Sequence, residues 1–152
     1  MIKQKIVVIC PGRGSYTRET FKYLDLYGKN ALKDIKWMDD QRKSGGRESL
    51  TKLDSQIFRS QIHMLGENAS TLIYACSLSD FLHIDTNKYE IVSVLGNSMG
   101  WYTSLVLSGA ISKKNGFHLI EEMGSIMKNN IIGGQLIYPI IKMNPEGVKL
   151  LL

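Results

Sequence analysis

The sequence lacks any apolar stretch long enough to cross a lipid bilayer, which takes about 20 consecutive apolar residues. It also lacks the features of a signal peptide. The apolar run Ile6–Cys10 ends at Pro11, too early for a signal-peptide core, and no small-residue cleavage site follows it. We therefore predict a cytoplasmic protein that does not act in or on a membrane.

Cysteine is scarce, with only Cys10 and Cys76 in the chain. Both lie in apolar runs, and their spacing fits neither a metal site nor a disulfide framework. We predict no metal site, and a reducing compartment agrees with the cytoplasmic location. Two classes of nucleotide-binding site are also disfavoured. The run Gly12-Arg13-Gly14 lacks the third glycine of a dinucleotide fingerprint, and no Walker lysine follows it.

Positive charge is concentrated in the first 60 residues, which carry 13 Lys and Arg against 7 Asp and Glu, whereas the rest of the chain carries 6 against 7. Aromatic residues are not interleaved with these basic residues along one stripe, so nucleic acid is not an expected partner. A basic surface can attract an acidic partner or a phosphate-bearing ligand. A simple solvated, lysine-rich surface is the alternative explanation.

The pattern that is present alternates between strands and helices. The apolar, largely β-branched runs Ile6–Cys10 and Ile91–Leu95 are typical of strands buried on both faces of a parallel sheet. The remaining segments predict helices over 17–27, 68–82, 101–108 and 115–129, a strand over 135–143, and a mobile polar loop over 39–52. Strands alternating with helices predict an α/β fold, with a parallel sheet flanked by helices.

The C-terminal residues predict the first turn of a helix. Asn144 suits an N-cap, Pro145 the first helical position and Glu146 the first turn. An apolar face then begins at Val148, and the sequence stops at Leu152. We expect from this that the chain is truncated.

A serine between a strand and a helix is the main candidate for chemistry. The run Gly96-Asn97-Ser98-Met99-Gly100 follows the second predicted strand and precedes a predicted helix, which is the context of a nucleophile elbow. There the sharp turn exposes the serine hydroxyl, and Gly96 and Gly100 allow strand and helix to come close. The Met99 N–H, in the first helical turn, can stabilise an oxyanion. The alternative is a glycine-bounded turn with a capping serine.

Two motifs together resemble the malonyl-CoA:acyl-carrier-protein transacylase family, an acyltransferase family. They are PGRGS at residues 11–15 and GNSMGWYTSL at residues 96–105, where that family typically has PGQGS and GHSLGEYSAL. Residues 119–127 are similar to the family's next helix, and residues 133–143 resemble the first strand of its small ferredoxin-like subdomain. The resemblance covers nearly all of this chain but only the N-terminal half of the family's usual length.

This resemblance implies a division into residues 1–130, the N-terminal part of the α/β acyltransferase domain, and residues 131–152, the beginning of an incomplete ferredoxin-like subdomain. It also implies a ping-pong transfer from an acyl-coenzyme A to an acyl carrier protein through a Ser98 acyl-enzyme. The backbone N–H groups of Arg13 and Met99 would form the oxyanion hole. Coenzyme A would be a substrate, with no permanently bound cofactor, and the pathways would be fatty acid or polyketide synthesis.

Three differences from the family affect this interpretation. The histidine before the nucleophile is Asn97 here, and the glutamine of the first loop is Arg13. The arginine that pairs with the malonyl carboxylate is replaced by Met123, so Asn97 and Met123 are candidate acyl-pocket residues and malonyl is uncertain as the substrate. Arg13 is a candidate replacement cation, since a buried carboxylate needs one.

The family's catalytic histidine lies beyond the residues that match. His63, His83 and His118 are interpreted as surface or helix-capping residues, so we predict little or no transferase activity for this chain alone. Two other functions stay open. One is an α/β-hydrolase-type esterase, which also uses a G-x-S-x-G elbow. The other is a non-catalytic fragment that self-associates, for example as a homodimer through its truncated face.

Overall fold

The computed structural model describes residues 2–126, 128, 141–144 and 147–150. Its helices are α1 to α7 and its strands β1 to β4, numbered in chain order, with short 3-10 turns at Arg18–Thr20 and Gly28–Ala31. The elements are β1 (Gln4–Cys10), α1 (Tyr23–Tyr27), α2 (Leu32–Ser44), α3 (Leu50–Ser55), α4 (Ser60–His63), α5 (Gly66–Phe81), β2 (Tyr89–Gly96), α6 (Gly100–Leu107), α7 (Lys113–Ile126), β3 (Ile141–Asn144) and β4 (Gly147–Leu150).

Strands β1 and β2 form a parallel pair, and their ends lie side by side, with Cys10 opposite Gly96. The predicted α/β class with a parallel sheet flanked by helices is therefore confirmed. The prediction that both faces of these strands are buried is wrong for the described residues, because Val7 and Ile9 of β1 are 50% and 68% exposed. The helices cover only part of this short sheet.

The core is built around helix α5, because its apolar residues Leu72, Ile73, Tyr74, Ala75 and Leu78 are almost fully buried. Phe117 and Ile120 of α7 pack in the same cluster, as do Ile35 and Met38 of α2. Helices α5 and α7 come close enough at Gly66 and Gly124 that a Cβ on Gly66 would lie 2.6 Å from the Gly124 carbonyl oxygen. This contact fixes α7 beside the start of α5.

Two predictions in the first half of the chain, one of a loop and one of a helix, need correction. Most of the predicted polar loop 39–52 is helical, since α2 runs to Ser44 and α3 starts at Leu50. The side chain of Asp39 accepts hydrogen bonds from the Leu50 N–H at 2.6 Å and the Thr51 hydroxyl at 2.5 Å, which holds the start of α3. The predicted helix 17–27 is instead a 3-10 turn followed by α1, with Lys22 between them in a left-handed conformation (φ 59°).

The C-terminal segment is described only in part. The helix predicted to start at Asn144 is wrong, because β3 and β4 pair antiparallel, with Asn144 opposite Gly147. Asn-Pro is a turn signal as well as a helix start. Of the strand predicted over 135–143, residues 135–140 lie outside the described residues. The ferredoxin-like subdomain over 131–152 stays a prediction.

Candidate functional site

Ser98 occupies the corner between the end of β2 and the start of α6. Its backbone is left-handed (φ 52°), and its side chain is exposed. A left-handed conformation is unfavourable for a residue with a Cβ, and such strain is often found at active sites. The exposed, strained serine has the geometry that the sequence predicted for a nucleophile elbow.

Close backbone packing makes the corner sharp. A Cβ on Gly96 would collide with the backbone of Gly100 and Trp101, and a Cβ on Gly100 would collide with the carbonyl groups of Cys10 and Pro11. Any larger residue at either position would therefore push α6 away from the ends of the two strands. The two glycines set the angle at which Ser98 is presented.

The loop after β1 lies directly against this corner. The Asn97 N–H donates to the Cys10 carbonyl oxygen at 3.0 Å, which continues the pairing of the two strands. A Cβ on Gly12 would lie 3.0 Å from the Asn97 carbonyl oxygen and 3.1 Å from the Ser98 Cβ. Arg13, the next residue, is thereby brought to the serine from a position 85 residues earlier in the chain.

The Met99 N–H lies at the start of α6, beside Ser98. The N–H groups of Asn97, Gly100, Trp101 and Tyr102 already donate to backbone carbonyls of the corner, whereas that of Met99 has no acceptor among the described residues. An unused N–H at a helix start can stabilise negative charge. The corner therefore offers at least one backbone donor to an anion at Ser98.

A cavity of about 270 Å³ opens beside Ser98. Helices α5, α6 and α7 and the loop after β1 contribute its lining, which consists of Arg13, Ser70, Ser98, Met99, Tyr102, Met123, Gly124 and Ile126. Met123 is among these lining residues, and its role in an acyl pocket stays a prediction. The side chain of Asn97 does not line the cavity but lies beside Gly12, with its amide nitrogen 3.5 Å from that residue's Cβ position.

None of the chain's three histidines lines this cavity. His83 is exposed at the end of α5, where it bonds the Ser79 carbonyl oxygen, and exposed His118 packs edge-on against Trp37. The interpretation of His63 as a surface or capping residue is wrong, since it is only 1% exposed. Its Nδ1 lies 3.0 Å from the backbone of Arg59 and its Nε2 lies 3.0 Å from the Leu53 carbonyl oxygen, and these contacts hold the ring in place.

Arg42 is a buried charged residue that the sequence interpretation missed. Its guanidinium is fully buried and donates to the Glu121 carboxylate at 3.0 Å, the Thr71 hydroxyl at 2.9 Å and the Asn68 side-chain oxygen at 2.6 Å. Asn68, which lies inside the first turn of α5, is therefore a partner of Arg42. Burial lowers the pKa of Arg42, and the nearby Glu121 opposes that change. Arg42 joins α2 to α5 and α7, which both line the cavity.

Asp54 is a second buried charge that the sequence interpretation missed. It accepts from the Tyr16 hydroxyl at 2.7 Å and from the Tyr23 and Leu24 N–H groups at 3.1 and 3.0 Å. Burial raises the pKa of Asp54, although these hydrogen bonds act in the opposite direction. The carboxylate thus holds Tyr16 and the start of α1 in place. Tyr16 follows directly after the loop that carries Arg13.

Neither cysteine has the environment of an activated nucleophile. Cys10 is buried at the end of β1, and burial raises the pKa of its thiol and, more strongly, that of Cys76. Within the described part of the chain, no three His, Cys, Asp or Glu side chains are grouped to hold a metal ion. No described helix is long and apolar enough to span a membrane.

No protein-family model and no curated protein sequence matches the chain. Its fold is similar to the crystal structures of acyl-carrier-protein S-malonyltransferases from Burkholderia pseudomallei 1710b (TM-score 0.61) and Vibrio cholerae O1 biovar eltor (TM-score 0.62), each at 21% sequence identity. Both alignments cover 84% of this chain and 40% of the other. The chain therefore has the fold of part of an acyl-carrier-protein S-malonyltransferase, as the two sequence motifs implied.

Proposed function

We propose that this chain carries the nucleophile of an acyltransferase that moves an acyl group from coenzyme A to an acyl carrier protein through a Ser98 acyl-enzyme. One observation carries the proposal. Ser98 is exposed in a left-handed conformation at a strand-to-helix corner, beside a cavity and a backbone N–H without an acceptor among the described residues. A transferase fold in the two similar structures supports the same reaction class.

In the first half-reaction, the Ser98 Oγ attacks the thioester carbonyl carbon while its proton passes to a base. The negative charge that develops on the carbonyl oxygen is stabilised by the N–H groups of Met99 and Arg13. The C–S bond then breaks and coenzyme A leaves as the thiol. In the second half-reaction, the carrier-protein thiol attacks the ester and restores the serine hydroxyl.

The base for the serine proton is not a histidine of this chain, because none of the three lines the cavity. Loss of the base in a serine enzyme can lower turnover by on the order of 10⁶. We therefore expect the 152-residue chain to acylate Ser98 slowly and to show almost no turnover. Dissolved imidazole should partly replace the base and speed acylation.

In this proposal, Arg13 determines whether a charged acyl group is preferred. Met123 stands where the similar family has its carboxylate-binding arginine, and Arg13 is the only cationic side chain among the described residues that line the Ser98 cavity. A guanidinium there can pair with the free carboxylate of a malonyl group. We therefore expect faster acylation by malonyl-CoA than by acetyl-CoA.

Intact-protein mass spectrometry tests these expectations. The chain is incubated with malonyl-CoA or acetyl-CoA, with and without imidazole, and Ser98→Ala is the control for acylation elsewhere. We expect acyl adducts on the wild type only, with formation faster in imidazole. Adducts that persist in Ser98→Ala, or none on either protein, would contradict the proposal. Equal or greater loading from acetyl-CoA would refute only the role of Arg13.

Transfer of the acyl group from Ser98 to a carrier protein distinguishes a transferase from an esterase. We expect the acyl group of loaded Ser98 to appear on an added carrier-protein phosphopantetheine thiol, again faster with imidazole. Hydrolysis of a p-nitrophenyl ester that depends on Ser98, with no acyl group found on the carrier protein, would instead indicate an esterase. High turnover without imidazole would contradict the expected absence of a base.

A further inference from the structure

A second cavity, which the proposed reaction does not use, shares two lining residues with the Ser98 cavity. The second cavity has a volume of about 480 Å³, against about 270 Å³ beside Ser98. Its lining consists of Arg13, Met64, Leu65, Gly66, Glu67, Gly124 and Lys128. Only Arg13 and Gly124 among the described residues line both cavities.

The boundary between the two cavities, here called the wall, includes one side chain, that of Arg13. Gly124 contributes only backbone, and its contact with Gly66 brings α7 against the start of α5. The Arg13 Nη1 lies 3.0 Å from the Cβ position of Gly66, so the guanidinium reaches this glycine contact. Arg13 is thus the one described side chain shared by both linings.

The two sides of this wall differ in what they offer an acyl chain. On the Ser98 side, Met123 and Ile126 provide apolar surface in a small space. On the far side, Met64 and Leu65 are about half exposed, and the Glu67–Lys128 ion pair (3.1 Å) borders the space. Apolar surface in both cavities would suit a long alkyl chain, but a guanidinium stands between them.

We propose that the Arg13 side chain is the end wall of the acyl cavity and restricts the acyl group on Ser98 to short chains. This inference rests on the proposed acyl-enzyme. Without the side chain, the cavity beside Ser98 would open toward the larger one, whose lining includes Met64 and Leu65. Arg13 would then determine chain length as well as charge, and its backbone N–H would keep its separate role.

The restriction can be measured as the ratio of long-chain to short-chain acyl groups loaded on Ser98. This ratio does not depend on the absolute acylation rate of each variant. Octanoyl-CoA and acetyl-CoA are compared by the amount of acyl-Ser98 formed in imidazole. Because each buried methylene favours binding several-fold, we expect Arg13→Ala to raise the octanoyl-to-acetyl ratio by about ten-fold or more. Arg18→Ala, an exposed arginine that lines neither cavity, should leave the ratio unchanged. An unchanged ratio in Arg13→Ala would overturn the inference.

A binding experiment tests the wall without any catalysis. Methionine methyl NMR signals are followed while 1-octanol is added to the wild type and to Arg13→Ala. We expect the Met123 methyl signal to shift in both proteins and the Met64 methyl signal to shift in Arg13→Ala alone. If Met64 responds equally in both proteins, or in neither, the wall is refuted. If the NMR result holds but Ser98 is never acylated, the wall stands and the proposed transferase function fails.

Discussion

Thr103 buries a hydroxyl group that has no hydrogen-bond partner among the described residues, although the residue is fully buried in α6. Thr71 has the same side chain and the same burial in α5, but its hydroxyl accepts from the Arg42 guanidinium at 2.9 Å. Comparison of Thr103 with Thr71 therefore separates the effect of burying a hydroxyl from the effect of giving it a hydrogen-bond partner. A buried hydroxyl without a partner is destabilising, whereas a bonded one is not.

We predict that Thr103→Val raises the free energy of unfolding by about 1 kcal/mol, because valine has the same shape without the unsatisfied oxygen. Thr71→Val should lower it by about 1–3 kcal/mol, because it removes a partner of a buried cation. Urea denaturation followed by circular dichroism measures both. Equal effects of the two substitutions would show that the Thr103 hydroxyl is satisfied in solution.

Arg42 and Arg47 contact the same carboxylate of Glu121, at 3.0 and 3.1 Å, from different environments. The Arg42 side chain is fully buried, and that of Arg47 is 29% exposed. Arg42 also donates to the Glu48 and Glu67 carbonyl groups at 2.6 and 2.8 Å. Removal of Arg42 would therefore leave several buried acceptors without a donor, whereas water can replace part of what Arg47 provides.

We predict that Arg42→Met lowers the free energy of unfolding by about 3–5 kcal/mol, as expected when one partner of a buried ion pair is lost. Arg47→Met should lower it by less than about 1 kcal/mol, as for an exposed pair. The same urea denaturation measures both variants. If Arg47→Met costs as much as Arg42→Met, the difference in burial is not what decides their contributions.

At the scale of the elements, the strand-to-helix corner depends on backbone contacts that allow no side chain. A Cβ on Gly100 would overlap the carbonyl groups after β1. Gly45, at the end of α2, has ordinary backbone angles (φ −83°, ψ 10°), and its Cβ would lie no closer than 3.5 Å to the Arg42 carbonyl oxygen. Both glycines lie at an end of a helix, but only Gly100 has no room for a side chain.

Gly100→Ala should lower the free energy of unfolding by about 3 kcal/mol or more, because α6 must move away from β1. It should also slow Ser98 acylation. Gly45→Ala should leave acylation unchanged and raise stability by up to about 1 kcal/mol, because alanine restricts the unfolded chain. Thermal unfolding and the mass-spectrometric assay provide the two readouts, and normal acylation by Gly100→Ala would contradict a role for the tight corner.

At the scale of the whole molecule, the parallel sheet leaves apolar side chains uncovered by other described residues. Val7, Ile9, Val92 and Leu95 are each at least 44% exposed on the two paired strands. The chain also spans only 40% of the length of the two similar structures. Apolar surface of this kind favours association with another polypeptide.

We expect the purified chain to self-associate with increasing concentration, as measured by size-exclusion chromatography with light scattering. Ile9→Lys should weaken this association, because the lysine would place charge on the uncovered sheet. Ile57→Lys is the matched control, since Ile57 is 81% exposed outside the sheet. A wild-type chain that stays monomeric at all concentrations would contradict the expectation, and an equal effect of both variants would show that another surface associates.

The sequence by itself determined the features that depend on residue type over a few neighbouring positions. Apolar β-branched runs predicted β1 and β2 and their parallel arrangement, and glycines on both sides of Ser98 predicted the sharp corner. Helix α5 was predicted within two residues at its start, because its apolar residues recur at helical spacing. These constraints are local, so they can be recognised without knowing which segments meet in space.

Only the tertiary structure decided where the charged residues of 39–52 lie. They suggested a solvated loop, yet Asp39 and Arg42 are buried on α2 beside Ile35 and Met38. The spacing of these four residues along one helical face was a signal that the sequence interpretation overlooked. Their burial depends on Thr71 and Glu121 from distant helices, and the cavity beside Ser98 likewise combines residues from 13 to 126. Such contacts form only when the folded backbone brings distant side chains together, and residue types along the chain do not specify that proximity.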